Sequence, residues 1–368
     1  MARQISVTLA RPGMQLARSV YDDKGRVLLQ AGVKLSEYHI HRLRNHMAVI
    51  TIEDEISEGI LVHEVIPQEL RVQVQKTLEE EWSRLRSQVS FKRVSFSASF
   101  AKSMRLQVRS LLEVMRGTQI IKENMASLAG YDNGTYVHSV NVTIYSLIIG
   151  VALGLSETML MDLAIGALCH DIGKTLIPAS ILTKRGPLTP DEYRQMKDHA
   201  AIGYRILKQQ HEFSVIVSRC AHEHHERING SGYPRGITGE QIHYLSKIVA
   251  IADVYDAMVM HRPYREGVPP GDVMEYLFSR AGSEFDFHLV QLFGKRVVPY
   301  PIGTEVTLSD GSVGIISNID TDMPARPTVR IIRLANGTSV SPREVDLMKQ
   351  LNVTIIRSSS VSVLEGIE

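Results

Sequence analysis

The run Ile248-Val249-Ala250-Ile251-Ala252-Asp253-Val254-Tyr255 sets a carboxylate in the middle of an otherwise apolar helical segment. Removing an ionised carboxylate from water costs several kcal/mol unless it is paired or bound to a cation, so any fold of this chain must bring a partner to Asp253. Asp256 lies one turn further on, close to the same face. The partners on offer are histidines: His138, His170, His199, His222, His224 and His225 fall in one stretch of helical pattern. A lone histidine on an apolar helix is more often a hydrogen-bonded core residue than a ligand. The set reads differently, because separate helices each contribute His or Asp on the side that carries small and apolar neighbours. His170 and Asp171 are adjacent at a helix end, with Gly173 reading as the helix stop. An imidazole and a carboxylate there can face one hard or borderline metal ion, and the carboxylate can bridge to a second.

The surrounding pattern supports helices. Ser156 opens one that bears Leu160, Leu163, Ala164, Ala167 and Leu168, and Thr189-Pro190-Asp191-Glu192 is a capping box with proline in the first turn. A further helix covers 245–260. Upstream, Leu70, Val74, Leu78 and Trp82 recur at helical spacing, a serine-rich break follows at Ser95, Ser97 and Ser99, and Leu106, Val108, Leu111, Leu112 and Met115 mark another helix. Such stripes more often pack into a core; the competing expectation is a homodimer formed through these linker helices.

The flanks differ in character. Leu16 to Val20 and Arg26 to Leu29, separated by Asp22-Asp23-Lys24-Gly25, read as a hairpin; a short helix capped by Ser36 and a strand from Val49 to Ile52 follow. Near the other end, Glu305 to Leu308, Val313 to Ile319 and Val329 to Leu334 are β-rich runs divided by Asp310-Gly311 and Asn336-Gly337, which are hairpin turns by composition. The expected organisation is mainly α: a small α+β module over 1–60, a helical linker over 61–128, a helical bundle over 129–298 and an antiparallel β appendage over 299–368.

Length and composition exclude several classes. The 368 residues, 44% apolar and 22% charged, suffice for two or three domains with real cores. A net charge of +1 gives no general field for duplex nucleic acid or an anionic membrane, so any phosphate binding must be local. The longest apolar run, Val142 to Leu155, contains Thr, Tyr, Ser and Gly and is too short to span a bilayer. Two cysteines, Cys169 and Cys220, make no disulfide framework, and the opening residues carry no secretion signal; a cytoplasmic protein with reduced thiols is expected.

Taken in order, His138, His170-Asp171-Ile172-Gly173-Lys174, His199, His224-His225-Glu226, Gly230-Ser231-Gly232-Tyr233-Pro234, Asp253-Val254-Tyr255-Asp256 and Arg262-Pro263-Tyr264-Arg265 resemble the HD-GYP family of bacterial phosphodiesterases over nearly half the chain. The resemblance implies a helical HD-type bundle that hydrolyses cyclic di-GMP to pGpG, and onward to GMP, by attack of a metal-bridging hydroxide. It implies that His138, His170, Asp171 and Asp253 ligate one divalent metal ion, that Asp171 bridges to a second, and that His199, His224 and His225 complete the second site. Lys174 would approach the scissile phosphate, with Lys174 and Asp171 the catalytic pair. Tyr233, Asp256, Arg262 and Arg265 would contact the nucleotide, and Asp132 would reach substrate or metal indirectly. Some members bind a third metal through a glutamate one turn before the first histidine; here that position is Gly134, so two ions are expected. Histidine-rich ligation favours iron or manganese over magnesium. Two other readings compete: a non-catalytic cyclic di-GMP receptor, and an HD-type hydrolase of another cyclic dinucleotide. Arg11-Pro12-Gly13-Met14 resembles part of a small module often found before such domains, with no legible ligand.

Overall fold

A computed structural model describes the chain except residues 1, 22–25, 45–48, 61–65, 89–95, 98, 118–134, 185, 261–266, 321–322 and 359–368. The first module holds β1 (Arg3–Ser6), β2 (Gln15–Leu16), β3 (Val20–Tyr21), β4 (Val27–Leu29), α1 (Glu37–Arg44) and β5 (Val49–Glu53). Its antiparallel sheet runs β1-β5-β2, and Ile5, Leu16, Leu43 and Ile52 close a small core. The Ser36 hydroxyl accepts from the His39 amide at 3.2 Å and starts α1. The single strand expected from Leu16 to Val20 is divided. Leu16 pairs with Ile52, whereas Val20 pairs with Leu29; between them the Ser19 hydroxyl accepts from the Ala31 amide, so the chain changes partner where a side chain supplies the acceptor.

The helices are α2 (Gln68–Ser87), α3 (Phe100–Gly117), α4 (Thr135–Ala152), α5 (Glu157–Cys169), α6 (Ala179–Leu182), α7 (Pro190–Lys208), α8 (Val215–Glu223), α9 (Tyr244–Val259), α10 (Pro270–Arg280) and α11 (Phe287–Arg296), with a short 3-10 turn over Ile172–Leu176. Ser156 caps α5 by accepting from the Met159 amide at 3.3 Å, and Thr189 and Glu192 form a reciprocal capping box at α7. One continuous core unites Val74, Leu78, Trp82 and Leu85 of α2 with Met104, Val108, Leu111 and Met115 of α3 and the inner faces of α4, α5 and α9. The linker stripe is therefore spent on intramolecular packing. Leu106, expected on that stripe, is exposed. Among the described residues no helix is long and apolar enough to cross a membrane.

The last module is a five-stranded antiparallel sheet of β6 (Glu305–Leu308), β7 (Val313–Asn318), β8 (Thr328–Arg333), β9 (Ser339–Asp346) and β10 (Ile355–Ser358), ordered β10-β6-β7-β8-β9. Gly311 and Gly337 take φ of 80° and 83° in the tight turns after Asp310 and Asn336. This sheet meets the first module edge on: the Gln4 amide donates to the Gly303 carbonyl at 2.7 Å, and the Arg3 guanidinium reaches Asp54 at 2.7 Å and Glu305 at 2.5 Å.

Candidate metal centre

Five segments of the helical core converge. α4 delivers His138; α5 ends at His170, with Asp171 following; α7 carries His199; the end of α8 supplies His224 and His225; and α9 carries Asp253. Close packing of the Ile172–Leu176 turn on α7 brings them together. A Cβ on Gly173 would lie 1.9 Å from the His199 carbonyl oxygen and 2.7 Å from the Gly203 amide nitrogen. Gly173 is thus not the helix stop expected from sequence. The chain already leaves α5 at His170, and Gly173 lets two backbones touch.

The donor atoms form two groups. Those of His138, His170 and Asp171 lie within 4.8 Å of one another, and so do those of His199, His224 and His225. Asp171 stands between them: Oδ2 is 3.5 Å from His170 Nε2 and 3.9 Å from His138 Nε2, while Oδ1 is 3.4 Å from His199 Nε2 and 3.8 Å from His224 Nε2. Asp253 Oδ1 lies 3.0 Å from His138 Nε2, and Oδ2 3.8 Å from His225 Nδ1. Lys174 Nζ sits 2.5 Å from Asp171 Oδ2. Six of these residues, Lys174 and His225 excepted, are buried.

The imidazoles are oriented from behind. His170, His199 and His224 each donate Nδ1–H to a carbonyl one turn back, on Ala167 and Met196 at 2.7 Å and on Cys220 at 3.2 Å. A carbonyl only accepts, so each Nε2 lone pair points inward. His199 Nε2 and His224 Nε2 then face each other at 3.2 Å as two acceptors, and His170 Nε2 and Asp171 Oδ1 are buried without a hydrogen-bond partner. Opposed lone pairs and orphaned polar atoms around two buried carboxylates fit divalent cations, and the residues present suit such binding.

Electrostatics agree. Burial and the neighbouring imidazoles hold His224 well below the usual histidine range, and burial lowers His225 to about 3, so both are neutral and ready to ligate near pH 7. Burial alone would raise Asp171, but Lys174 and the surrounding histidines hold it well below the carboxylate range. His138 is the exception. Burial would lower it, yet hydrogen bonds and charge from Asp253 and Asp256 raise it to about 10 in the metal-free protein. A protonated imidazole cannot ligate, so loading near pH 7 is expected to release about one proton from His138, and affinity should rise with pH up to about 10. Calorimetric titration of metal in buffers of differing ionisation enthalpy reads the count; no proton release would contradict this state.

Asp256 is not where substrate contact would require it. Its Oδ2 accepts from His138 Nδ1 at 2.7 Å and its Oδ1 from Asn141 Nδ2 at 3.0 Å, so it backs the histidine in the buried interior. Asp256→Asn should therefore lower metal affinity by about 10- to 100-fold with the fold retained. Competition against a chelator measures this, and unchanged affinity would remove Asp256 from the support of His138.

Tyr233 lies at the rim, its ring stacked on His225 with centroids 4.5 Å apart and 26° between planes. The loop carrying it is tied down by an acid that the sequence motif includes without a role: Glu226 accepts from the Arg235 amide at 2.8 Å and the Ile237 amide at 3.1 Å. Glu223, also buried, accepts from Arg219, Arg235 and the His243 amide. Gly232 allows the return, since a Cβ there would fall 2.4 Å from Glu226 Cα. Lys197, which sequence reasoning missed, places Nζ 5.0 Å from the Tyr233 ring centroid. The signals available were an acid directly after two histidines and a lysine two residues before a third. His222 points elsewhere and stacks on Tyr204. Asp132, Arg262 and Arg265 lie outside the described residues, as does Gly134.

Residues 118–289 match the family described as HD domain, and residues 305–365 match a KOW domain associated with HD domain. A protein of Pseudomonas aeruginosa named as a cyclic di-GMP phosphodiesterase is 32% identical over 60% of this chain and 53% of its own length. A Xanthomonas campestris protein named as a cyclic di-GMP phosphodiesterase response regulator is 36% identical over 50% of each. Over the residues that match the HD domain, the chain is similar to proteins named as cyclic di-GMP phosphodiesterases. A Vibrio cholerae protein named as a 3'3'-cGAMP-specific phosphodiesterase is 39% identical over 36% of this chain and 28% of its own length. The chain spans about half the length of the first two relatives.

Proposed function

We propose that the chain is a metal-dependent phosphodiesterase that hydrolyses cyclic di-GMP to pGpG and onward to GMP. The observation that carries this reading is the Asp171 carboxylate, with one oxygen toward His138 and His170 and the other toward His199 and His224. His138, His170, Asp171 and Asp253 would hold one ion, and Asp171, His199, His224 and His225 the other, with iron or manganese suited to these nitrogen-rich donors. Two such ions supply Lewis acidity, neutralising phosphodiester charge and activating water at neutral pH. Lys174 holds a positive charge beside Asp171 for a non-bridging phosphate oxygen. Burial pushes the Tyr233 phenol up, so it stays a neutral hydrogen-bond donor at the rim. Asp132, Arg262 and Arg265 complete the proposed substrate contacts. The domain ranges of 1–60, 61–128, 129–298 and 299–368 belong to the same proposal, as do a cytoplasmic location, in keeping with two buried unpaired cysteines, and a homodimer through the linker helices.

Protein reloaded anaerobically with ferrous or manganous ion should convert cyclic di-GMP to pGpG, read by chromatography of the products. Binding without turnover would instead support a receptor. The 3'3'-cGAMP-specific relative supports a second reading for the same centre, and faster cleavage of cGAMP than of cyclic di-GMP in parallel assays would favour it.

A further inference from the structure

A cavity of about 370 Å³ lies on the seam between the first module and the last, shares no lining residue with the histidine cluster, and is lined by apolar side chains together with three arginines and Glu305. Ile5 and Met14 from one module and Ile332 and Val340 from the other are its more buried apolar lining, while Arg11 and Arg333 are exposed. The volume falls in the ~300–1,000 Å³ range of small-molecule sites.

Two features make this more than a crevice. The Arg11-Pro12-Gly13-Met14 motif forms a turn in which the Met14 amide donates to the Arg11 carbonyl at 3.3 Å, Gly13 takes a φ of 91°, and the Gly13 amide is anchored on the Leu35 carbonyl at 2.8 Å. Both ends of the turn line the cavity, one giving it a cation and the other a polarisable apolar side chain. The charges are also unequal in their commitments. Arg3, which lines the same cavity, is neutralised by Asp54 and Glu305, whereas neither the Arg11 nor the Arg333 guanidinium has an acidic or hydrogen-bonding partner among the described residues. Two exposed guanidiniums lining a cavity that also offers apolar side chains are complementary to an oxyanion carried on an apolar body.

We propose that this seam cavity binds a small organic anion, an apolar body with a phosphate or carboxylate head, held by Arg11 and Arg333. Because its walls come from both flanking modules, the ligand stabilises their docked arrangement. The claim stands apart from the metal centre and does not depend on its chemistry.

Calorimetric titration of the full chain with hexyl phosphate and with heptanoate tests it, with inorganic phosphate and hexanol as the head and body alone. At least one of the two amphiphilic anions should bind at a single site, more tightly than either fragment; which one does so identifies the head. An Arg11→Ala/Arg333→Ala double variant should weaken that binding by about tenfold for each arginine removed. Ile332→Trp, which fills the cavity, should weaken it with both arginines kept, and circular dichroism checks that each variant is folded. No binding by either amphiphile, or equal affinity in the wild-type chain and the double variant, would overturn the proposal.

Discussion

Asp171→Ala is expected to lose bound metal and to lower cyclic di-GMP turnover by about a thousandfold or more. Its two oxygens face the two histidine groups separately, whereas Asp253 reaches His138 and His170 in one group and His225 in the other, and neither His199 nor His224 within ion-pair distance. Without the Asp171 charge, the inward lone pairs of His199 and His224 have no carboxylate beside them, and cations bound across the two groups would repel with less to offset it. Asp171→Asn keeps the shape and removes the charge, so it separates electrostatics from a packing defect and should be equally inactive. Metal analysis and product chromatography on the same preparation read both effects. Wild-type metal content and turnover in the alanine variant would sink the bridging assignment.

Gly173→Ala is the second large effect, and it is a folding effect first. A Cβ 1.9 Å from the His199 carbonyl cannot be relieved by a side-chain rotation, so the turn and α7 must separate, at a cost of about 3 kcal/mol or more. The same separation pulls His199 away from Asp171, and metal binding should fall with stability. Gly203 provides the contrast. A Cβ there meets Ala221 and the Gly173 amide at 3.4 Å, close but near ordinary contact, and removing a glycine from a helix is itself worth about 1 kcal/mol, so Gly203→Ala should change stability by no more than about 1 kcal/mol. Urea unfolding of the pair measures the difference. Equal stabilities would show that the turn does not depend on backbone contact with α7.

These two residues also mark the boundary of what the sequence could tell. Asp253 declared itself because a carboxylate in Ile-Val-Ala-Ile-Ala has no partner within its own helix, and the capping box at Thr189 and the Asp310-Gly311 and Asn336-Gly337 turns are local devices that need no tertiary knowledge. The helical bundle and the two β-containing flanks were readable for that reason. Asp256 was harder. Its place one turn from Asp253 is visible in sequence, but whether it meets the substrate or the back of His138 depends on the depth at which α4 crosses α9. Gly173 was misread because a helix-stopping glycine and a close-approach glycine look alike until the neighbouring backbone is known. β9, with Ser-Val-Ser-Pro-Arg-Glu, carries little apolar alternation since most of it is exposed, and only pairing with β8 makes it a strand.

The edge-on meeting of β1 with the residues before β6 has a consequence for any attempt to exchange parts of this molecule. β1 borders its sheet, and the hydrogen bond from Gln4 to Gly303, together with the two carboxylates around Arg3, comes from opposite ends of the sequence. A chimera that grafts only the first module onto a foreign helical core would present an uncovered strand margin and an arginine with half its counter-charge, a surface prone to sticking to its neighbours. The flanking pieces share one junction although the helical core separates them in sequence, so they are to be transplanted together or left in place.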